Sequence, residues 1–202
     1  MSALPASLAH LPQPDADACA RSALLRARVL EAIDRDGFLP FARFMALALY
    51  EPGLGYYAAG DAKFGRAGDF VTAPELTPFF GAALAAQVAE LVAAGCDDVL
   101  ELGAGSGRLA ADILRGLERL GRLPRRYAIL EVSGELAARQ RDLIARELPH
   151  LVDRVQWLDR LPDRIRGVVL GNEVLDALPV ELVVRRGGTV YELGVTRGSQ
   201  TR

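Results

Sequence analysis

Val99-Leu100-Glu101-Leu102-Gly103-Ala104-Gly105-Ser106-Gly107-Arg108 decides the fold. A short apolar run, the pattern of a buried strand, ends on an acid and a leucine. Three alternating glycines follow. Glycine lets the chain turn sharply and leaves no side chain in the way of a ligand. Leu109, Ile113, Leu114 and Leu117 then recur at helical spacing. The first turn of that helix presents unpaired N–H groups, which suit a carboxylate or a phosphate. Strand, glycine turn and helix together describe a nucleotide-type cofactor site. A glycine turn that binds nothing is the plain alternative.

The spacing of the glycines separates two cofactor classes. A dinucleotide fingerprint is G-x-G-x-x-G, and its third glycine would fall on Arg108. Here the third glycine is Gly107, and Glu101 stands two residues before the first. A carboxylate so close to a pyrophosphate gains nothing obvious. Beside the sulfonium and ammonium of S-adenosylmethionine it is favourable. The E-x-G-x-G-x-G pattern resembles motif I of class I methyltransferases.

Outward from this loop, strands and helices alternate. Strand patterns cover Tyr127–Glu131, Arg154–Leu158 and Gly167–Gly171, with a helix from Ser133 to about Glu147 between the first two. Such alternation predicts an α/β fold with a parallel sheet and helices on both faces. Leu182–Arg186 and Thr189–Val195 flank Gly187-Gly188, the signature of a hairpin. The resemblance to class I methyltransferases implies a sheet of seven strands; against it four parallel strands and a hairpin are incomplete, so the chain is expected to be the N-terminal part of a longer protein. The expected division is a loose tail over 1–20, a helical segment with a glycine-rich cofactor-facing loop over 21–95, and an incomplete cofactor-binding core over 96–202.

Upstream, Ala20 to Arg35 shows helical spacing and ends at Gly37; Pro40 opens a second helix carrying Phe41, Phe44, Met45, Ala48 and Leu49 on one face. Residues 51–75 are rich in Gly, Pro, aromatics and charge, as ligand-carrying loops often are. Thr77 and Pro78 then cap and open a helix whose expected buried face is Leu84, Val88, Leu91 and Val92.

Strand ends supply the remaining candidates. Glu131 lies roughly 20–30 residues past the glycine loop, where an acid accepts hydrogen bonds from ribose hydroxyls. Asp159, after the third strand, is placed to accept from an adenine amine; Trp157 beside it reads as core or as a flank to that ring, with core the simpler reading. Asn172, Glu173 and Asp176 follow the fourth strand, near where the transferable methyl would lie. Their other reading is a helix cap at Asn172 with Glu173 and Asp176 on the helix dipole. Gly68, Asp69 and Phe70 form a loop that could fold over the cofactor, or an ordinary Gly-Asp turn.

Composition narrows the function classes. Half of the 202 residues are hydrophobic, enough for one domain with a sizeable core. The net charge of −2 gives no strong drive toward nucleic acid or anionic membrane. No apolar stretch is long enough to span a bilayer. Two distant cysteines, Cys19 and Cys96, suggest no disulfide framework and a reducing compartment. The two histidines, His10 and His150, form no cluster, so no metal is expected. Lys63 is the only lysine among 24 basic residues, a bias that fits a GC-rich bacterial source. The first residues lack the basic start and apolar run of a signal peptide, and Asp15 and Asp17 argue against a mitochondrial presequence.

Six ordered segments resemble one family. They are Phe44-Met-x-Leu-Ala-Leu-Tyr-x-Pro52, Gly55-Tyr-Tyr57, Phe64-Gly-x-x-Gly-Asp-Phe-Val-Thr-Ala-Pro-Glu75, the glycine loop, Leu130-Glu-Val-Ser133 and Gly171-Asn-Glu-Val-Leu-Asp-Ala-Leu-Pro179. From about Leu24 onward the chain is similar to the MidA-type S-adenosylmethionine-dependent methyltransferases. That family includes the mitochondrial complex I assembly-factor arginine methyltransferase and bacterial homologues. The resemblance implies a class I Rossmann-like fold with an N-terminal helical extension, S-adenosylmethionine as methyl donor and a protein arginine as acceptor. A complex I core subunit is the acceptor associated with the mitochondrial member. Glu101, Gly103, Gly105, Gly107 and Glu131 match its cofactor site, and Gly68, Asp69 and Phe70 its N-terminal signature. Asn172, Glu173 and Asp176 match its signature after the fourth strand. The family's members are longer, and at Val190-Tyr-Glu-Leu-Gly194 they often carry a Trp and a Glu-Arg pair instead. The bacterial resemblance implies the cytoplasm; a eukaryotic source would imply the mitochondrial matrix. Three rival readings stay open: a binding or assembly protein that keeps the fold without turnover, a methyltransferase of small molecules, and a nicotinamide oxidoreductase. Sequence leaves the oligomeric state undetermined.

Overall fold

The computed structural model describes residues 14–59 and 71–198. In chain order the elements are α1 (Ala16–Asp36), β1 (Leu39–Pro40), α2 (Phe41–Tyr50), α3 (Ala73–Leu76), α4 (Pro78–Ala93), β2 (Asp98–Leu102) and α5 (Arg108–Arg119). Then come β3 (Arg126–Leu130), α6 (Gly134–Glu147), β4 (Val155–Leu158), β5 (Gly167–Gly171), β6 (Leu182–Arg186) and β7 (Thr189–Val195). Short 3₁₀ turns occupy Pro149–Arg154 and Leu175–Ala177. The described residues form two compact units, 14–59 with 179–198, and 71–178.

The second unit holds the parallel sheet, in the order β4-β3-β2-β5. Registers are continuous: Val99 lies opposite Tyr127 and Val168, and Ile129 opposite Trp157. Strands buried on both faces must be apolar throughout, and Val99, Leu100, Tyr127, Ala128 and Ile129 are buried accordingly. The core joins Val99, Tyr127 and Ile129 to Leu109, Ile113, Leu114 and Leu117 of α5 and to Leu143 and Ile144 of α6.

Helices α4 and α5 meet through small residues. A Cβ added at Gly116 would lie 2.5 Å from the Cβ of Ala85, and one added at Gly81 would lie 2.5 Å from the Cβ of Asp112. This close approach explains why the buried face of α4 is Gly81, Ala85, Val88 and Ala89. Of the expected face, Val88 is buried and Leu84 and Val92 are partly buried against the core, while Leu91 is exposed. The Thr77 hydroxyl caps α4 by accepting from the Phe79 N–H at 3.3 Å, as the Thr-Pro pair predicts.

Helices α5 and α6 are joined by charge. Arg108 grips Glu147 with both terminal nitrogens, at 2.8 and 2.9 Å. Arg115 bridges Glu147 at 2.9 Å and Asp112 at 2.6 Å. The position that breaks a dinucleotide fingerprint therefore carries an arginine with a structural partner.

The first unit differs from expectation in two ways. The loose tail was expected to reach residue 20, yet α1 begins at Ala16, because Asp15 accepts from the Ala18 N–H at 2.7 Å and closes the first turn. Residues 1–13 lie outside the described range. The hairpin β6–β7, with the expected bounds, is not part of the parallel sheet. It forms a separate antiparallel sheet, β1-β7-β6, in which Leu39 lies opposite Val195 and Pro40 opposite Gly194. A small core of Ala32, Ile33, Leu39 and Leu47 packs with Val29, Phe44 and Val195. The hairpin thus belongs with the N-terminal helices, and α3 and α4 belong with the sheet, so the expected boundary at residue 96 does not mark the division.

Candidate cofactor site

The parallel strands end together, and the loops leaving them share one edge of the sheet. After β2 the chain turns through Gly103, Gly105 and Gly107, whose φ values are 59°, 54° and 83°. All three lie in the left-handed region, where a side chain costs about 1–2 kcal/mol per residue. Two hydrogen bonds fix the turn: the Gly103 N–H donates to the Leu130 carbonyl at 2.9 Å, and the Gly107 N–H to the Ala104 carbonyl at 2.8 Å. The Ser106 hydroxyl donates to the Glu75 carboxylate and accepts from the Arg108 N–H at 3.2 Å, so the loop is also held by α3.

Glu101 does not project freely into solvent. It is 2% exposed, and the Tyr127 hydroxyl donates to it at 2.7 Å. Burial pushes its carboxyl up to about 7; the Tyr127 bond opposes the rise and the nearby Glu131 charge adds to it. Burial likewise raises the Tyr127 hydroxyl well above its ordinary value.

Glu131 lies one residue past β3. It accepts from the Ser133 N–H at 3.0 Å and from the Gln140 amide at 2.9 Å. Burial raises its carboxyl too, against the hydrogen bonds that favour the ionised form. Ser133 then caps α6 by accepting from the Leu136 N–H at 3.3 Å.

After β5 the chain does not enter a helix. Leu175–Ala177 is a single 3₁₀ turn with no side-chain cap, so the helix-cap reading of Asn172 is not realised. Glu173 has φ 52° and is the only residue other than glycine with positive φ among those described. Such strain persists where surrounding structure enforces it, and it concentrates at functional sites. Val174 packs on the glycine loop: its Cγ2 would stand 3.3 Å from a Cβ at Gly103. The structure therefore brings together the loop, Glu101, Glu131 and the turn bearing Asn172, Glu173 and Asp176. Asp159 is exposed, one residue past β4 on the same edge. Gly68, Asp69 and Phe70 lie outside the described residues.

Four partners escaped the sequence reading: Tyr127, Glu75, Gln140 and the indole N–H of Trp157. The readable signal was Gln140, a polar residue on the apolar stripe of α6 with Ala137 and Ile144. A buried amide on such a stripe implies partners. Among the described residues no group of three potential ligands could hold a metal, and no helix is long and apolar enough to cross a membrane.

A parallel α/β sheet with a left-handed glycine loop after its first strand and an acid at the end of the next defines a nucleotide-cofactor fold. Residues 83–202 match the family described as "Putative S-adenosyl-L-methionine-dependent methyltransferase", and the chain belongs to that family, whose cofactor is S-adenosylmethionine. It is similar to the mitochondrial protein arginine methyltransferase NDUFAF7 of Danio rerio, at 32% identity over 71% of this chain and 40% of that protein. The Mus musculus NDUFAF7 is 33% identical over 73% of this chain and 40% of that protein. A COG1565 superfamily protein from Burkholderia thailandensis, crystallised with S-adenosylhomocysteine, is 48% identical with a TM-score of 0.85. That likeness covers 94% of this chain and 50% of the Burkholderia chain. The chain thus spans about half, or less, of the length of these relatives.

Proposed function

We propose that this chain binds S-adenosylmethionine at the carboxyl ends of β2 to β5 and serves the methylation of arginine in a protein. The observation that carries the reading is the convergence on one edge of three left-handed glycines, the desolvated Glu101 and the hydrogen-bonded Glu131.

The donor set fits the cofactor. Glu131 accepts N–H donors on both oxygens, and its carboxylate retains acceptor capacity for a ribose hydroxyl. Burial lifts the Glu101 carboxyl to about 7, and a cationic group nearby would favour its ionised form. Glycine puts no side chain between the loop backbone and the amino-acid end. When bound, S-adenosylmethionine supplies an electrophilic methyl carried on a sulfonium.

The chain's own residues then position an acceptor. An arginine guanidinium has a pKa above about 12 and must lose a proton as its nitrogen gains the methyl. Glu173 and Asp176 accept guanidinium N–H bonds, orient one nitrogen, and one of them takes that proton; Asn172 follows β5 beside them. The bound sulfonium would supply the methyl and be left as the neutral thioether of S-adenosylhomocysteine, while the acceptor nitrogen's proton passes to one of these carboxylates. Proximity and exclusion of water carry most of the acceleration in such a displacement. Asp159, exposed one residue past β4, is the candidate acceptor for an adenine amine.

The acceptor class is supported by the names of the NDUFAF7 relatives, which are protein arginine methyltransferases. A respiratory complex I core subunit, the acceptor that the family resemblance implies, is the first to test. The experiment is transfer of a radiolabelled methyl from S-adenosylmethionine into that subunit and into cell extract, followed by acid hydrolysis. Label in methylarginine, lost in Glu173→Gln and Asp176→Asn, is the expected result. Cofactor binding with no label in any protein would contradict the reading.

A further inference from the structure

Gln140 is fully buried in α6 and every polar atom of its amide is engaged. Its Nε2 donates to the Gly105 carbonyl at 2.9 Å and to Glu131 Oε2 at 2.9 Å. Its Oε1 accepts from the Trp157 indole N–H at 2.9 Å. The indole nitrogen only donates, and the other two partners accept, so the orientation of the amide is fixed by chemistry. The contact with the loop is close: a Cβ at Gly107 would meet Gln140 Cγ at 3.2 Å. One side chain thus ties three strand ends: the glycine loop after β2, the acid after β3 and the indole on β4.

We propose that Gln140 is the positioning residue of the cofactor site. It holds the Gly105 carbonyl and the Glu131 carboxylate at a fixed separation. The Gly105 and Ser106 N–H groups and the Glu131 carboxylate then face the ligand without rearrangement, and preorganisation of this kind raises affinity. The inference rests on the assignment of Glu131 and the glycine loop to the cofactor. Trp157 reports on the same linkage, because it is the only tryptophan in the chain and its N–H ends on this amide.

The test is calorimetric titration of the chain with S-adenosylhomocysteine, with tryptophan emission followed in parallel. Four variants are compared: Gln140→Leu, Gln140→Glu, Trp157→Phe and Glu131→Ala. Gln140→Leu keeps the volume and removes all three bonds; affinity is expected to fall about ten- to hundredfold. The emission change that accompanies binding is expected to disappear with it. Gln140→Glu keeps an acceptor for Trp157 but sets a carboxylate against Glu131, so its loss should be at least as large. Trp157→Phe leaves both donor bonds intact and should cost less than about threefold. Circular dichroism identifies folded variants, and Gln140→Glu decides the matter if Gln140→Leu does not fold. A folded Gln140 variant with lowered Tm but unchanged affinity would overturn the positioning role. If Glu131→Ala still loses affinity in that case, the cofactor assignment survives and only the role of Gln140 falls. Absence of binding by the unaltered chain would overturn both.

Discussion

At the residue scale the central group is Glu101, an acid whose burial raises its carboxyl to about 7 from an ordinary 4.5. A raised carboxyl favours the protonated fold: its contribution to stability is complete below 4.5 and is lost as pH rises through about 7. Glu101→Gln is therefore expected to stabilise the ligand-free chain at pH 8 by about 1–3 kcal/mol, with the gain vanishing near pH 4, as chemical denaturation at the two pH values would show. A cationic ligand favours the ionised form, so S-adenosylmethionine affinity should tighten as pH rises through 7 and level off above it. Glu101→Gln should flatten that profile. Glu173 gives the opposite trade. Glycine at its left-handed position removes about 0.5–1 kcal/mol of strain, net of the greater freedom of the unfolded chain. Thermal unfolding of Glu173→Gly should show higher stability while methyl transfer is lost.

At the scale of elements the helices around the loop depend on two contacts. Gly116 admits α4 against α5, and a methyl there would overlap Ala85. Gly116→Ala should destabilise the chain by about 1–3 kcal/mol, a fall in Tm of about 2–4 °C per kcal/mol. Glu147 clamps α6 to α5; bonding to Arg108, and then to Arg115, holds its carboxyl down near 2, against the pull of partial burial. A lowered carboxyl stabilises the fold above its ordinary 4.5, and that contribution fades as pH falls toward 2. Solvent reaches the pair, so Glu147→Gln should cost about 1 kcal/mol at pH 7 and little at pH 2.5 in denaturant titrations. The elements themselves were legible where periodicity was strong: β5, β6 and β7 have the expected bounds, and β2, β3, β4 and α6 lie within a residue of theirs. Burial on α4 was not, because close helix approach selects glycine and alanine, which carry little hydrophobic signal.

At the scale of the whole molecule, local patterns do not say which sheet a hairpin joins. Gly187-Gly188 marked the turn between β6 and β7, but the pairing of Leu39–Pro40 with β7 is a contact between residues far apart in sequence, and nothing in either segment announces it. The site shows the same limit. Glycines and strand-end acids were readable because each is required by its own turn or strand end. The Tyr127–Glu101 bond and the Gln140 bridge depend on tertiary register and became visible only in the fold. The most direct test of the cofactor site is a crystal structure of the chain with S-adenosylhomocysteine. The account predicts the ribose hydroxyls within hydrogen-bond distance of Glu131 and the amino-acid end against Gly103–Gly107. A ligand bound elsewhere, with Glu131 facing away from its sugar, would contradict it.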